Sequence, residues 1–429
     1  MTDRTLKVGL LGCGTVGAAV VRLLHDHRDD IARRAGCRLE VAKVAVRHPS
    51  KPRDLPLDAS AFTADAMAVV EDPDIDIVCE LIGGSEPAGS LILAAFDRDK
   101  PVVTANKELL ATAGRELFDA SDAKGLDLYF EAAVGGGIPL IRPLKESLTG
   151  ERLTRVLGIV NGTTNYILTR MSDEGMRFAD ALAEAQRLGY AEADPTADVD
   201  GHDAAAKCAI LASIAFNARV VGADVYREGI SGVTTEDVEF ARRLGYVVKL
   251  LAIAELHDER IAARVHPAMI PAEHPLAAVR DAFNAVFVEG PNIGELMFYG
   301  RGAGGEPTAT AVVGDVVTVA RNLLAGARGV GCTCFHERTI RPMAEMDGQY
   351  YILLRVEDRP GVLAEIASVF GRNQVSIKSV WQEGTGADAQ LVFITHRARE
   401  GAFQQAVSEL RAVKAVEEVR SILRVEAEE

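Results

Sequence analysis

Residues 189–207, GYAEADPTADVDGHDAAAK, place five carboxylates, Glu192, Asp194, Asp198, Asp200 and Asp203, ahead of one ammonium, Lys207. Asp203 and Lys207 are four apart, so on a helix they share a face, and the Gly201-His202 step marks the start of such a helix. Alone, the pair reads either as a solvated salt bridge or as a catalytic lysine with its neighbours. The apolar run that follows, AKCAILASIAF, argues for a buried helix whose polar end faces a cleft. In a cleft that also holds a hydride donor, a lysine can protonate a carbonyl oxygen as hydride reaches the carbon, and positioned proton transfer accelerates by roughly 10²–10⁴-fold. Carboxylates beside it suit a substrate ammonium. The stretch therefore points to an amino-acid substrate whose carbonyl or hydroxyl reacts. His202, a lone histidine beside the helix start, is read as structural.

A site for the hydride donor is signalled near the start of the chain. Gly12-Cys13-Gly14-Thr15-Val16-Gly17 follows the strand-like VGLL and opens the helical VGAAVVRLLHDH. In G-x-G-x-x-G the first glycine permits a tight turn, the second lets backbone approach a pyrophosphate, and the third lets the helix pack closely with its N-terminus facing the anion. Gly12, Gly14, Thr15, Val16 and Gly17 are thus candidate cofactor contacts. After the second strand, where an NAD enzyme offers Asp or Glu to the ribose, the chain reads VAVRHPSKPR, with Arg47 at the strand end and Lys51 and Arg53 behind it. These cations either take a 2′-phosphate or form a solvated basic loop; NADP(H) is favoured and NAD(H) stays possible. Lys107, just after PVVTA, falls at the carboxyl edge of the same sheet, where ligands bind in such folds.

The elements that must position these groups are an α/β succession. Over the first ~130 residues LKVGLLG, LEVAKVAV, IDIVCELIG, KPVVTA and DLYFEAAV alternate with helical segments, which predicts a parallel, doubly wound sheet. The expected organisation is a Rossmann-type dinucleotide-binding domain over 1–130 with a returning helix at about 305–325. An α+β catalytic and dimerisation domain over 131–304 follows, then a linker at 326–347 and a ferredoxin-like domain over 348–429. The last rests on a βαββαβ order running from YYILLRVED to VRSILRVE. Two further glycine segments, Val134-Gly135-Gly136-Gly137-Ile138 and Gly300-Arg301-Gly302-Ala303-Gly304-Gly305, let backbone come close to something or are simply turns.

Composition narrows the function class. A chain of 429 residues suggests about three domains. The net charge of −15, from 62 acids against 47 bases without a basic stripe, argues against nucleic acid and anionic membrane as partners and for a small-molecule enzyme. No run of ~18 apolar residues is long enough to span a bilayer, and MTDRTLKVGLLGCG lacks the regions of a signal peptide, so a cytoplasmic protein is expected. The six cysteines are scattered, and the one close pair, Cys332-Thr-Cys334, has no histidine or second pair at zinc-ligand spacing. They read as reduced thiols.

Taken in order, GLLGCGTVG (9–17), VVTANKELL (102–110), EAAVGGGIPL (131–140), NGTTNYIL (161–168), the 189–207 stretch and GRGAGGEPTA (300–309) resemble the motif blocks of the monofunctional homoserine dehydrogenases with a C-terminal ACT domain. The resemblance implies NAD(P)-dependent interconversion of L-aspartate 4-semialdehyde and L-homoserine, on the route to threonine and methionine. By the same resemblance Lys207 is the proton donor and acceptor, and Lys107 a second catalytic lysine between nicotinamide and substrate. Glu192 and Asp203 are substrate binders, and Gly189, Gly302 and Gly304 are backbone contacts to cofactor or substrate. A sodium-like monovalent cation is implied at Glu131, Val134, Gly136 and Ile138, and carbonyl oxygens plus one carboxylate suit a hard cation. A homodimer or homotetramer is implied too. The start of the chain at the dinucleotide fold argues against an aspartokinase fusion.

In the tail, Asp358-Arg359-Pro360-Gly361-Val362-Leu363 joins a strand to a helix, matching the loop where ACT domains bind amino-acid effectors. Gly361 can leave N–H groups open to a carboxylate and Pro360 suits a first helical turn, so Asp358 and Gly361 are candidate effector contacts, with threonine the expected effector. A domain that only dimerises, or that no longer binds ligand, is the other reading. A non-catalytic amino-acid sensor on a retained dinucleotide fold is the alternative function, disfavoured by the two lysines and the carboxylates. An aspartate-semialdehyde dehydrogenase would need a nucleophilic cysteine on an activated loop, and none of Cys13, Cys79 and Cys208 has that setting.

Overall fold

The computed structural model describes residues 4–426. The chain forms two compact units, each built from three segments: Met1–Val156 with Ala206–Asp224 and Asn284–Arg338, and Leu157–Ala205 with Val225–Phe283 and Thr339–Glu429.

The first unit carries a six-stranded sheet of β1 (Thr5–Leu11), β2 (Arg38–Ala45), β3 (Phe62–Thr63), β4 (Ile77–Glu80), β5 (Val102–Thr104) and β6 (Leu128–Tyr129), ordered β3-β2-β1-β4-β5-β6. Every pairing is parallel. The chain reverses direction of build between β1 and β4, the switch point at whose strand carboxyl ends ligands bind in such sheets. Strands of such sheets are covered on both faces and read as continuous apolar runs, as in β4, whose four residues are all buried. One cover is the pair of helices Thr15–Asp26 and Gly305–Ala325, which share a core through Val20, Leu24, Val312, Val316 and Val319. At 21 residues and mean hydropathy 1.2, Gly305–Ala325 is long and apolar enough to cross a membrane by length and composition. Here it is a core helix that carries a fully buried Asp315.

DLYFEAAV is a strand only at Leu128–Tyr129; Glu131–Ala133 is a short 3₁₀ turn. The Glu131 N–H donates to Asp315 Oδ2 at 2.8 Å, which draws the chain out of the sheet. Among the described residues Asp315 Oδ1 has no hydrogen-bond partner, only the Arg142 guanidinium 3.6 Å away, and burial pushes its carboxyl up to about 8. A folded carboxyl that keeps its proton where the unfolded one has lost it stabilises less and less as pH climbs from about 4 to about 8. Asp315→Asn should therefore gain stability relative to the parent over that rise, by up to several kcal/mol at 1.36 kcal/mol per unit. Thermal denaturation of both proteins across the range checks this, and a difference that stays constant with pH refutes it.

The second unit contains a 12-residue hairpin, Tyr246–His257 against Arg260–Pro271. It also contains the expected βαββαβ domain, with strands Asp347–Val356, Ile377–Glu383, Gln390–Thr395 and Val416–Val425 and helices Val362–Arg372 and Glu400–Leu410. Ile352, Ile366, Phe370, Phe393 and Phe403 fill its core, and Tyr350 stacks on Phe403 with centroids 3.8 Å apart. Its sheet is not separate: Val416–Val425 pairs in parallel with Arg260–Pro271 at Ala268↔Arg424 and Met269↔Val425. Buried Arg424 bonds Glu400 and Glu228 at 2.8 Å each beside that seam.

Candidate active site

The glycine turn after β1 has the shape its spacing predicts. Gly12 has φ +103°, its N–H donates to Ala45 O at 3.0 Å, and a Cβ there would lie 2.7 Å from Leu81 O. A Cβ on Gly17 would meet Gly12 O at 2.5 Å, whereas one on Gly14 would meet nothing within 4 Å. Gly14 is the N-cap of helix Thr15–Asp26 and no side chain caps it. The N-terminus of Gly305–Ala325, capped by Gly304 at φ +122°, likewise has no side-chain cap. The two termini meet, since a Cβ on Gly305 would sit 2.9 Å from Thr15 Cγ2. Two uncapped helix N-termini in one place offer N–H groups and positive partial charge to an anion.

The other two glycine segments approach each other. A Cβ on Gly136, at φ +55°, would lie 2.5 Å from Gly302 O, and one on Gly302 would overlap the Asn284 amide. The Glu131 carboxylate accepts N–H groups from Leu140 and from Ile141 and Arg142 at 2.7 and 2.9 Å. Those three bonds tie the Glu131 carboxylate to the start of the following helical segment. The buried carbonyls of Val134, Gly136 and Ile138 accept none of the described hydrogen bonds; those of Gly135 and Arg301 take the nearby N–H groups of Ile138 and Gly137. Buried carbonyls normally find a donor or a cation.

Lys107 is the first residue of helix Lys107–Lys124. Asn106 caps that helix, its Oδ1 accepting from Leu109 N–H at 3.1 Å while its Nδ2 donates to Gly84 O at 2.7 Å. Fully buried Glu80 accepts from Thr104 Oγ1 at 2.7 Å and from Ile82 and Gly83 N–H. This chain of bonds ties the ends of β4 and β5 together and fixes where Lys107 begins.

In the second unit Asn161 caps helix Gly162–Glu174 through Oδ1, and its Nδ2 donates to Asp198 at 2.7 Å and Asp203 at 2.9 Å. One amide thereby holds two of the five carboxylates together. Lys207, 8% exposed, lies one turn beyond Asp203 on helix His202–Ala215. Glu192, Asp200 and His202 are exposed, and Asp194 is spent on a turn, accepting from Thr196 N–H at 3.1 Å. Gly189 ends helix Phe178–Leu188 at φ +79°. Asn161→Ala removes a cap worth about 1 kcal/mol and strands two carboxylates, so a stability loss of about 1–3 kcal/mol is expected, together with a higher KM for the amino-acid substrate and unchanged cofactor affinity. Chemical denaturation and steady-state kinetics read both.

Arg47 and Lys51 are exposed after β2. Arg53 instead builds the loop, donating to His48 O at 3.1 Å and Lys51 O at 2.9 Å with its guanidinium over Phe62. In the tail, Gly361 caps helix Val362–Arg372 at φ +95° without a side-chain cap. Pro360 precedes that cap rather than opening the helix, and Asp358 accepts from Gly386 N–H at 3.0 Å.

The strand order, the glycine turn and the paired helix N-termini define a nicotinamide-dependent oxidoreductase on a Rossmann-type domain. The sequence profile of the homoserine dehydrogenase NAD-binding domain matches residues 12–131, that of homoserine dehydrogenase matches 139–317, and that of the ACT domain matches 350–415. The chain is 50% identical to a homoserine dehydrogenase of Corynebacterium glutamicum over 98% of this chain and 95% of that one. It is 48% identical to one of Mycobacterium tuberculosis over 99% and 98%. A crystal structure of a homoserine dehydrogenase from Thiobacillus denitrificans superposes with TM-score 0.93 at 43% identity, covering 99% of both chains. The chain belongs to the homoserine dehydrogenase family, oxidoreductases acting on a CH–OH group, which removes the sensor alternative. Its ACT domain implies an amino-acid effector.

Proposed function

We propose that the enzyme reduces L-aspartate 4-semialdehyde to L-homoserine with NADPH, reversibly, and that threonine inhibits it through the ACT domain. The observation that carries the site assignment is the helix His202–Ala215, which bears Asp203, tied to Asp198 by Asn161, and buried Lys207 one turn on. When bound, the nicotinamide supplies the hydride. Lys207 gives a proton to the substrate oxygen as the aldehyde is reduced and takes it back in the reverse direction. Lys107, at the carboxyl edge of the sheet, polarises or positions the same oxygen. Asp203, with Glu192, takes the substrate ammonium.

Gly12, Gly14, Thr15, Val16 and Gly17 hold the pyrophosphate, with Gly189, Gly302 and Gly304 as backbone contacts to cofactor or substrate. Arg47 takes the 2′-phosphate. A hyperthermophilic archaeal homoserine dehydrogenase in complex with NADPH, 27% identical over 77% of this chain with TM-score 0.64, supports that coenzyme. A monovalent cation sits at Glu131, Val134, Gly136 and Ile138, a reading supported by the carbonyls of Val134, Gly136 and Ile138, which accept none of the described hydrogen bonds. Asp358 and Gly361 flank the effector, and the enzyme assembles as a homodimer or homotetramer. Nicotinamide absorbance during L-homoserine oxidation at alkaline pH tests the reading, with NADP⁺ and NAD⁺ compared and threonine added. Homoserine-dependent reduction that prefers NADP⁺, loses the preference in Arg47→Ala and falls with threonine supports it. No homoserine-dependent reduction with either cofactor overturns it.

A further inference from the structure

A cavity of about 260 Å³ in the first unit has none of the three glycine loops in its lining. Its apolar wall includes Phe118 and Phe130, and two of its sides are the helices that carry Lys107 and Lys207, through Leu110 and Gly114 on one and Ile210 and Ile214 on the other. The first of these is kinked at the cavity, where Ala113 leaves helical geometry (φ −118°, ψ 15°). The segment Cys332-Thr333-Cys334 also lines it, both cysteines half-buried and reduced. Gly329 N–H to Asp127 Oδ1 at 2.7 Å and His336 N–H to Asn217 O at 2.9 Å pin it on either side.

The thiols are close to each other and to cations. Cys334 N–H lies 3.5 Å from Cys332 Sγ. The Cys334 thiol donates to the Cys332 sulfur, which draws the Cys332 thiol below its ordinary range and pushes that of Cys334 above it. Lys145 and Arg219 line the same cavity. Lys145 stands over the Phe118 and Phe130 rings, 5.8 and 5.4 Å from their centroids, and donates to Val330 O at 3.1 Å. Arg219 Nη1 is buried without an acceptor among the described residues. The Asp122 carboxylate, which accepts from the Cys332 N–H at 3.4 Å, opposes these cations. A thiol that accepts a hydrogen bond beside a lysine and an arginine in a partly open pocket is the setting of a reactive cysteine.

We propose that Cys332 and Cys334 form a peroxide-reactive thiol pair that switches the enzyme. The Cys332 thiolate attacks the O–O bond of hydrogen peroxide or a small alkyl hydroperoxide; one oxygen stays on sulfur as the sulfenic acid, and the other leaves, protonated, as water or alcohol. The Cys334 thiol then attacks that sulfur, water leaves, and the disulfide closes. Two thiols have lost two electrons and the peroxide has gained them. Closure removes the thiolate from beside Lys145 and Arg219 and tightens the 332–334 segment against the two lysine-bearing helices, so oxidation lowers turnover.

The experiment treats the full-length enzyme with hydrogen peroxide or tert-butyl hydroperoxide, then alkylates and follows the tryptic peptide 329–338, which holds both cysteines. The expected peptide is two hydrogens lighter and unalkylated until dithiothreitol is added, while turnover falls roughly 5-fold or more and recovers with the thiol. Cys334→Ser stops at a sulfenic acid that dimedone traps, and Cys332→Ser keeps its turnover in peroxide. Full alkylation of both cysteines after peroxide overturns the pair chemistry, whichever lysine acts in catalysis. An equal loss of turnover in Cys332→Ser overturns the switch.

Discussion

Lys207→Ala is expected to lower turnover of homoserine oxidation by about 10²–10⁴-fold, the range that positioned proton transfer supplies, with the affinity for NADPH unchanged. The split follows from placement. Lys207 is on helix His202–Ala215, one turn past the Asn161-tied Asp203, whereas the proposed pyrophosphate contacts are the helix N-termini at Gly14 and Gly304. Lys207→Arg keeps the charge but not the dissociable proton, because a guanidinium stays protonated, so it should rescue little. Stopped-flow or steady-state turnover beside fluorescence titration of NADPH decides the matter. A variant with near-parental turnover removes Lys207 from the chemistry, and a variant that loses cofactor affinity in step makes it a cofactor contact instead.

Gly12→Ala should be the most damaging single methyl in the dinucleotide domain. At φ +103° an L-residue is strained by about 1–3 kcal/mol, and the new Cβ meets backbone, Leu81 O at 2.7 Å, not a side chain able to move away. The turn must shift, and a cofactor affinity lower by about 10- to 100-fold is expected at 1.4 kcal/mol per decade. Gly14→Ala separates conformational from contact effects. Its Cβ meets nothing within 4 Å in the protein, so thermal stability should hold without cofactor while NADPH binding weakens. Gly14→Ala that binds as tightly as the parent would show that no pyrophosphate lies against that residue.

Much of the fold was legible because it is written in local runs. The β1 strand, its glycine turn and helix Thr15–Asp26 are consecutive, so one window of sequence carries strand, turn and helix N-terminus together. Helix His202–Ala215 was equally readable from its apolar run. What escaped depends on distant partners. The Asn161 amide contacts Asp198 and Asp203, 37 and 42 residues away; an asparagine just before Gly-Thr-Thr and an apolar stretch signals a helix cap, but not what its other amide atom holds. The Glu131 carboxylate accepts the N–H groups of residues 140–142, 9 to 11 residues on, a partnership no periodicity announces. Strand β3, two residues long, has no periodicity to detect. The seam between the ACT sheet and strand Arg260–Pro271 rests on two residue pairs and leaves no pattern either.

The pairing of helix Thr15–Asp26 with Gly305–Ala325 bears on how the protein is made. A ribosome adding about 5–20 residues per second finishes the first helix tens of seconds before the second emerges. Until then the side of Val20 and Leu24 that Val312, Val316 and Val319 will cover faces solvent. The nucleotide-binding half therefore cannot complete its core as a nascent domain, and chains that terminate before residue 305 should be substrates for holding chaperones and proteases rather than functional fragments.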